Sequence, residues 1–99
     1  MDKRKIFAYI GLAEKAGKLA SGEFSTEKAV KEKRAACVFI AEDASDNTKK
    51  KFINMCGFYQ VPFYILGEKQ ELGHAAGKEF RASLAVLDAG LAQAIEKQM

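Results

Sequence analysis

Few groups in this 99-residue chain could carry covalent chemistry: one histidine, His74, and two cysteines, Cys37 and Cys56. His74 falls on a short helical stretch after Leu72-Gly73, and no Cys–His–Asp set that would make it a general base is recognisable. Neither cysteine sits beside an activating motif, and their separation suits no zinc site. Both lie in apolar surroundings, so they read as buried thiols of a protein kept in a reducing cytoplasm. Gly17-Lys18 and Gly22-Glu23 do not complete a phosphate-binding loop of the G-x-x-x-x-G-K-[ST] type. No G-x-G-x-x-G follows a strand, which argues against a dinucleotide site. The acidic pair Glu42-Asp43 reads as a loop and capping pair. An enzyme is therefore not expected, nor a metal or cofactor.

The remaining chemistry is binding. In Val61 to Gly77, VPFYILGEKQELGHAAG, a strand (Phe63 to Leu66) meets a turn at Gly67-Glu68 and a helix opening near Lys69 to Leu72. Backbone N–H groups point outward at such a corner. A second corner leads from Ser21-Gly22 into a helix on which Lys28 lies about one turn in from Phe24-Ser25, on the same face. A third loop, Glu42 to Asn47, follows the apolar run Cys37 to Ala41. Two lysines, glycines that permit close approach and exposed N–H groups at two corners describe a nucleic-acid backbone site better than a small-molecule pocket. Sixteen basic and thirteen acidic residues leave a net charge of +3, which permits an anionic partner without demanding one. The basic residues cluster at Lys3-Arg4-Lys5, Lys28 to Arg34 and Lys49-Lys50-Lys51.

The elements that must position these loops follow from periodicity. Residues 3–16 form an amphipathic helix with Ile6, Ile10 and Ala13 on one face, stopped by Gly17. Lys18 to Ser21 is a short strand or an extended turn. Ser25-Thr26 is placed as the cap of a second helix running to about Lys33 with Ala29 and Val30 inward. The run Cys37 to Ala41 suits a strand covered on both faces. Asp43 to Thr48 offers N-caps for a third helix carrying Phe52, Ile53 and Cys56. Val61 to Leu66 is the next strand, with Pro62 at its start, where a missing N–H costs little. A short helix over Gln70 to Gly77, a strand over Ala82 to Leu87 and a closing helix over Ala89 to Lys97 complete the chain. Helices alternating with apolar strands make an α/β protein, a three-layer α/β/α sandwich around a small sheet of about four strands. The length suits a single domain over 1–99. The apolar runs fall far short of a membrane span, and the basic N-terminus is soon interrupted by polar residues, unlike a signal peptide.

Gly22 followed by Lys28, then AAC-VFIAEDAS (Ala35 to Ser45), then Val61-Pro62 and Lys69-x-x-Leu72-Gly73 with Gly77, resembles in order and spacing the ribosomal L7Ae/L30e family, in particular its small bacterial L7Ae-like members. The resemblance covers about residues 5–95. It implies an L30e-like sandwich with a mixed four-stranded sheet and binding to kink-turn or similarly bent RNA, ribosomal RNA included. In the family the second helix opens as Gly-x-Asn-Glu-x-x-Lys. The Asn and Glu read sheared G·A pairs and the Lys supports the backbone. Carried over, this makes Gly22, Glu23, Phe24, Ser25 and Lys28 one side of an RNA site. Asp43 and Ser45 form the next loop, and Leu66, Gly67, Glu68 and Lys69 the corner set against extruded nucleotides. Phe24 and Ser25 stand where the family has Asn and Glu. Glu23 carries a carboxylate one step early, Gly67 replaces a basic residue of some relatives, and Lys33 replaces the glycine that often ends the helix. Phe24 is open to two roles, stacking on an unpaired base or packing against Leu19 or the neighbouring loop. The expected partners are structured RNA and ribosome-associated proteins, with no membrane. The alternative is a protein-interaction module on the same fold that lacks kink-turn specificity.

Overall fold

A computed structural model describes residues 1–99. The first helix, α1 (Lys3–Lys15), is capped by Asp2, whose carboxylate accepts from the Lys5 N–H at 3.2 Å. Its inward face is Ile6, Ile10 and Ala13, the i, i+4, i+7 set that the sequence pattern selects. Ala16 ends the helix, and Gly17 follows with φ +70°, the left-handed conformation of a C′ residue. Then come β1 (Leu19–Ser21), α2 (Glu23–Lys31), β2 (Cys37–Ile40), α3 (Asp46–Tyr59), β3 (Phe63–Ile65), α4 (Lys69–Ala75), β4 (Ser83–Val86) and α5 (Ala89–Glu96).

The four strands form one mixed sheet in the order β1-β4-β2-β3. Strand β4 runs antiparallel to both neighbours, pairing Ala20 with Ala85 on one side and Val38 with Ala85 on the other, while β2 and β3 are parallel with Phe39 opposite Tyr64. Strands β1, β2 and β3 therefore share one direction, and β4 alone opposes them. The two inner strands are buried at every residue, as expected for strands sandwiched between helix layers. Pro62 precedes edge strand β3, and its carbonyl accepts from the Val38 N–H, so its missing donor leaves no gap in the ladder. Helices α2 and α3 pack together over β1, β4 and β2, and α1 packs with α4 and α5. The core holds Ile6, Ile10, Phe39, Phe52, Leu72, Leu84 and Ile95, all fully buried. The sandwich and its four-stranded mixed sheet are those expected.

The start of α2 differs from expectation. Its N-cap is Gly22, not Ser25 or Thr26, and no side chain caps it. Ser25 is already in the first turn and exposed, while Thr26 is fully buried against the sheet. A glycine can do this because φ +96°, ψ 162° is a backbone region that side-chain-bearing residues avoid. At the other end of α2, Glu32 is the C-cap and Lys33 takes the C′ place at φ +61°, a glycine's role filled by a lysine. The third helix begins at a real cap, Ser45, whose Oγ accepts from the Thr48 N–H at 3.1 Å.

Candidate nucleic-acid interface

Strand direction decides what the loops can do together. Because β1, β2 and β3 are parallel to one another, the corners β1–α2, β2–α3 and β3–α4 all open at one edge of the sheet. Because β4 opposes them, the α4–β4 loop arrives at the same edge. Four loops meet there, not the three expected.

Direct bonds tie them. The Gly22 N–H donates to Ser83 O at 3.0 Å, joining the first corner to the start of β4. The Glu42 N–H donates to Gly67 O at 2.7 Å, and the Lys69 N–H to Asp43 Oδ1 at 2.8 Å, joining the second and third loops. Arg81 completes the ring. Its N–H donates to Lys69 O at 3.0 Å, and its side chain donates from Nε to Ser21 Oγ at 3.3 Å and from Nη1 to Phe80 O at 2.7 Å. The guanidinium thus lies against Gly22, where an added Cβ would meet Arg81 Nε at 3.7 Å.

The expected site residues divide into three roles. On the outer surface are Glu23, Phe24, Ser25, Lys28 and Glu68, with Lys69 half-exposed. Phe24 is 68% exposed, so packing near Leu19 is not its role. Lys28 and Lys69 take part in no ion pair, leaving both cations free for an anion. Gly22 is half-exposed at the helix start. Buried beneath are Leu66 and Gly67, which support the edge from inside. Gly67 has φ +79°, and a Cβ there would sit 2.8 Å from Phe7 Cζ. Between these groups Asp43 and Ser45 act on the fold: one carboxylate oxygen of Asp43 holds the α4 start, and Ser45 caps α3.

Helix dipoles point to the same edge, but their donors are unequally available. At α4 the Lys69 N–H is taken by Asp43 and the Glu68 N–H by Glu71 Oε1 at 3.0 Å. At α3 Ser45 takes the Thr48 N–H. Only α2 begins without a side-chain cap, so its first-turn N–H groups at Glu23, Phe24 and Ser25 face outward unused. That is where an anionic oxygen gains most from backbone donors and the positive end of the dipole. The α4 corner keeps the Gln70 N–H among its first donors, whereas the α2 corner keeps three.

Phe80 and Arg81 were not singled out by the sequence. Phe80 is 58% exposed and stands beside Arg81 at the lip of the edge. Gly73 makes this possible: a Cβ there would fall 2.7 Å from Phe80 Cα and collide with the Glu79 carbonyl, so only glycine lets the α4–β4 loop close over α4. The sequence signals were an aromatic next to an arginine just before a strand, and a glycine inside a helix. Neither has meaning until the direction of β4 is known. The largest groove, about 750 Å³ between α1 and α4, touches the edge through the α4–β4 loop, at Lys78, Glu79 and Phe80.

No catalytic constellation emerges elsewhere. His74 is exposed on α4. Burial pushes the Cys37 thiol up to about 12 and the Cys56 thiol up to about 11, which makes both poor nucleophiles. No three His, Cys, Asp or Glu side chains are placed to hold a metal ion, and no helix is long and apolar enough to cross a membrane.

An α/β/α sandwich whose loops meet at one edge of the sheet, beside an uncapped helix start, defines a class of small domain that presents a helix N-terminus to solvent. The particular family is shown by comparison: residues 4–96 match the ribosomal protein L7Ae/L30e/S12e/Gadd45 family, and the chain belongs to it. It is 40% identical over 92 residues to the RNA-binding protein YlxQ of Bacillus subtilis, covering 93% of this chain and 92% of that one. A second RNA-binding protein YlxQ, from Enterococcus faecium, is 38% identical over 92 residues, covering 93% and 88%. Neither name describes an enzyme. Among solved structures, a Bacillus halodurans protein of unknown function superposes with a TM-score of 0.89 at 38% identity, covering 94% of each chain. The Giardia lamblia 15.5kD RNA binding protein superposes with a TM-score of 0.79 at 21% identity, covering 92% of this chain and 82% of that one, which establishes the shared fold.

Proposed function

We propose that this protein is a cytoplasmic, non-enzymatic RNA-binding domain that holds bent, structured RNA of the kink-turn kind, ribosomal RNA included, on the four-loop edge. The observation that carries this reading is the uncapped start of α2. Three backbone donors, the exposed Phe24 ring and the unpaired Lys28 lie together where the loops converge. The relatives' names support it. A phosphate oxygen sits on the first-turn N–H groups, Lys28 and Lys69 neutralise the flanking backbone, and Arg81 supports the edge through Ser21. Phe24 stacks on an unpaired base, a contact worth about 1–3 kcal/mol and tolerant of base identity. With Phe24 and Ser25 in place of an Asn–Glu pair, base-edge readout is weaker by about 1–3 kcal/mol for each bidentate contact that is missing. Affinity thus rests more on backbone and stacking than on G·A pairs.

The measurement is binding of a kink-turn RNA against a plain duplex of equal length at low salt, with the wild type and a Lys28→Ala/Lys69→Ala variant. Preference for the kink-turn that weakens in the variant is expected. Equal affinity of the wild type for both RNAs overturns the kink-turn reading, and an unchanged variant overturns the edge. A second reading, a protein-interaction module, is favoured by Phe24 at the usual Asn position. A protein purified without nuclease that carries no nucleic acid but retains a protein partner, such as a ribosome-associated one, would decide for it.

A further inference from the structure

The chain's net charge is not spread over its surface. Residues 23–34 and 46–60, which hold α2 and α3 with their C-terminal turns, contain seven basic and four acidic side chains, a balance of +3. The rest of the chain holds nine of each and is neutral. Both helices start at the four-loop edge and run away from it, packed side by side. Helix α3 has 14 residues, so it extends about 20 Å from the edge at ~1.5 Å per residue. Its free lysines, Lys49 and Lys50, stand about 5–6 Å along it, just past the edge, so a backbone that leaves the edge along this layer meets them first.

Within this layer the cations are of two kinds. Lys28, Lys33, Lys49 and Lys50 form no ion pair, and Arg34 Nε pairs with Glu32 Oε1 at 2.9 Å. Lys31 and Lys51 are both engaged by one carboxylate, Glu27, with Lys31 Nζ at 2.7 Å from Oε2 and Lys51 Nζ at 2.6 Å from Oε1. Glu23 stands 4.0 Å from Lys51 as well. Hydrogen bonds from Lys31 and then Lys51 hold the Glu27 carboxyl down at about 2, so it stays charged throughout the physiological range.

We propose that the outer face of α2 and α3 is a second, sequence-independent RNA-backbone surface, on which a helical arm leaving the four-loop edge lies against Lys49 and Lys50, and that Glu27 limits its strength by occupying Lys31 and Lys51. The proposal rests on the RNA reading above and deepens it. An RNA arm is the occupant that the charge selects, since this layer holds all of the chain's net positive charge. It is also the occupant that continues from the edge without a second partner. Glu27 acts through the two lysines and does not touch the RNA.

The test is the salt dependence of RNA binding, because each lysine–phosphate contact contributes about 0.7–0.9 to the slope of log K against log salt. Two kink-turn RNAs serve as probes, one with long arms and one with both arms cut close to the bend. For the long-armed RNA, Lys49→Ala/Lys50→Ala flattens the slope by about 1–2 units and weakens binding on the order of tenfold at moderate salt. Glu27→Gln steepens the slope by about 1–2 units by releasing two cations. Both substitutions act far more weakly on the short-armed RNA, which feels these lysines only through the screened field. Unchanged slopes in both variants with the long-armed RNA overturn the proposal. So does an equal effect on the short-armed RNA, which would place these lysines at the edge itself. Loss of a co-purifying protein partner with RNA slopes unaffected also overturns it in favour of a protein-docking face. If wild type prefers no kink-turn but the slope changes persist with plain duplex, the kink-turn reading fails while this surface stands. Thermal melts of each variant separate these outcomes from unfolding, which is not expected at exposed or half-exposed positions.

Discussion

Two corners of this molecule are built alike and used differently. At Gly22 and at Gly67 a glycine of positive φ follows the end of a strand within two residues, and a helix begins within two more. At the Gly67 corner the space and most of the donors are consumed by the fold. Phe7 fills the volume a side chain would need, Asp43 takes the Lys69 N–H, and Glu71 takes the Glu68 N–H. At the Gly22 corner nothing of the kind happens. The helix starts uncapped, the nearest group to an added Cβ is the Arg81 side chain at 3.7 Å, and the adjoining Phe24 ring is in solvent. One corner is a joint, and the other is left open as the docking point of the proposed reading. Backbone conformation alone does not distinguish them, and the fate of the first-turn N–H groups does.

The largest effect should come from exchanging this asymmetry. Gly67→Ala meets both a left-handed backbone, costing about 1–2 kcal/mol, and overpacking against Phe7, costing about 1–3 kcal/mol. Loss of about 3 kcal/mol in thermal or urea unfolding is expected. Gly22→Ala meets backbone strain alone, about 1–3 kcal/mol, but puts a methyl between Arg81 and the ligand. It should therefore reduce RNA affinity more than its stability loss explains. If Gly22→Ala proves the more destabilising of the two and leaves RNA binding intact, the corners have been assigned the wrong way round.

Phe24→Ala should come next. Nothing in the fold needs this ring, so its melting temperature should stay within a degree or two of wild type, while RNA affinity falls by about 1–3 kcal/mol. Phe24→Asn combined with Ser25→Glu sharpens the comparison. It restores the polar pair at the open corner and should raise discrimination between kink-turn and duplex by about 1–3 kcal/mol per contact regained. The same pair of residue types placed at the closed corner has fewer free donors beside it to work with.

What could be read from the sequence follows this division. Runs such as Cys37 to Ile40 and the Ile6, Ile10, Ala13 spacing announce their elements because burial acts on neighbouring residues in a fixed period. Gly22, Lys28 and Lys69 stand out because the chain must turn or carry charge there. Three things were hidden. The cap of α2 was misplaced onto Ser25-Thr26 because a glycine cap leaves no side-chain signature, whereas Ser and Thr advertise one. Asp43 looked like a cap of its own helix, yet its carboxylate reaches the Lys69 N–H, 26 residues away, a contact that only tertiary structure creates. Arg81 was invisible as a site residue because its role depends on β4 running against the other three strands, and strand direction is not written locally.

A smaller effect is expected at Asp43, where the closed corner depends on one charge-assisted hydrogen bond. Asp43→Ala should cost about 1 kcal/mol, because the exposed Lys69 N–H regains water once the carboxylate is gone. Asp43→Asn retains an acceptor oxygen and should recover at least half of that loss. Amide hydrogen exchange at Lys69 reads the bond directly: faster exchange is expected in the Ala variant and near-native protection in the Asn variant. Were Lys69 equally protected in both, Asp43 would not be what closes this corner.

The smallest effect tests the far end of the open helix. Lys33 adopts φ +61° where a glycine would end α2 without strain. The left-handed conformation costs a lysine about 1–2 kcal/mol, but glycine also loses about 0.5–1 kcal/mol through its freer unfolded chain. Lys33→Gly should therefore stabilise by about 0.5 kcal/mol, a rise of about 2–4 °C for a domain of this size. The same change removes a cation from the α2/α3 layer, so RNA affinity should fall or hold while stability rises. A stabilised variant with stronger RNA binding would mean that the start of α2, not its charged face, limits docking. That would make order at the open corner the scarce quantity and charge the abundant one.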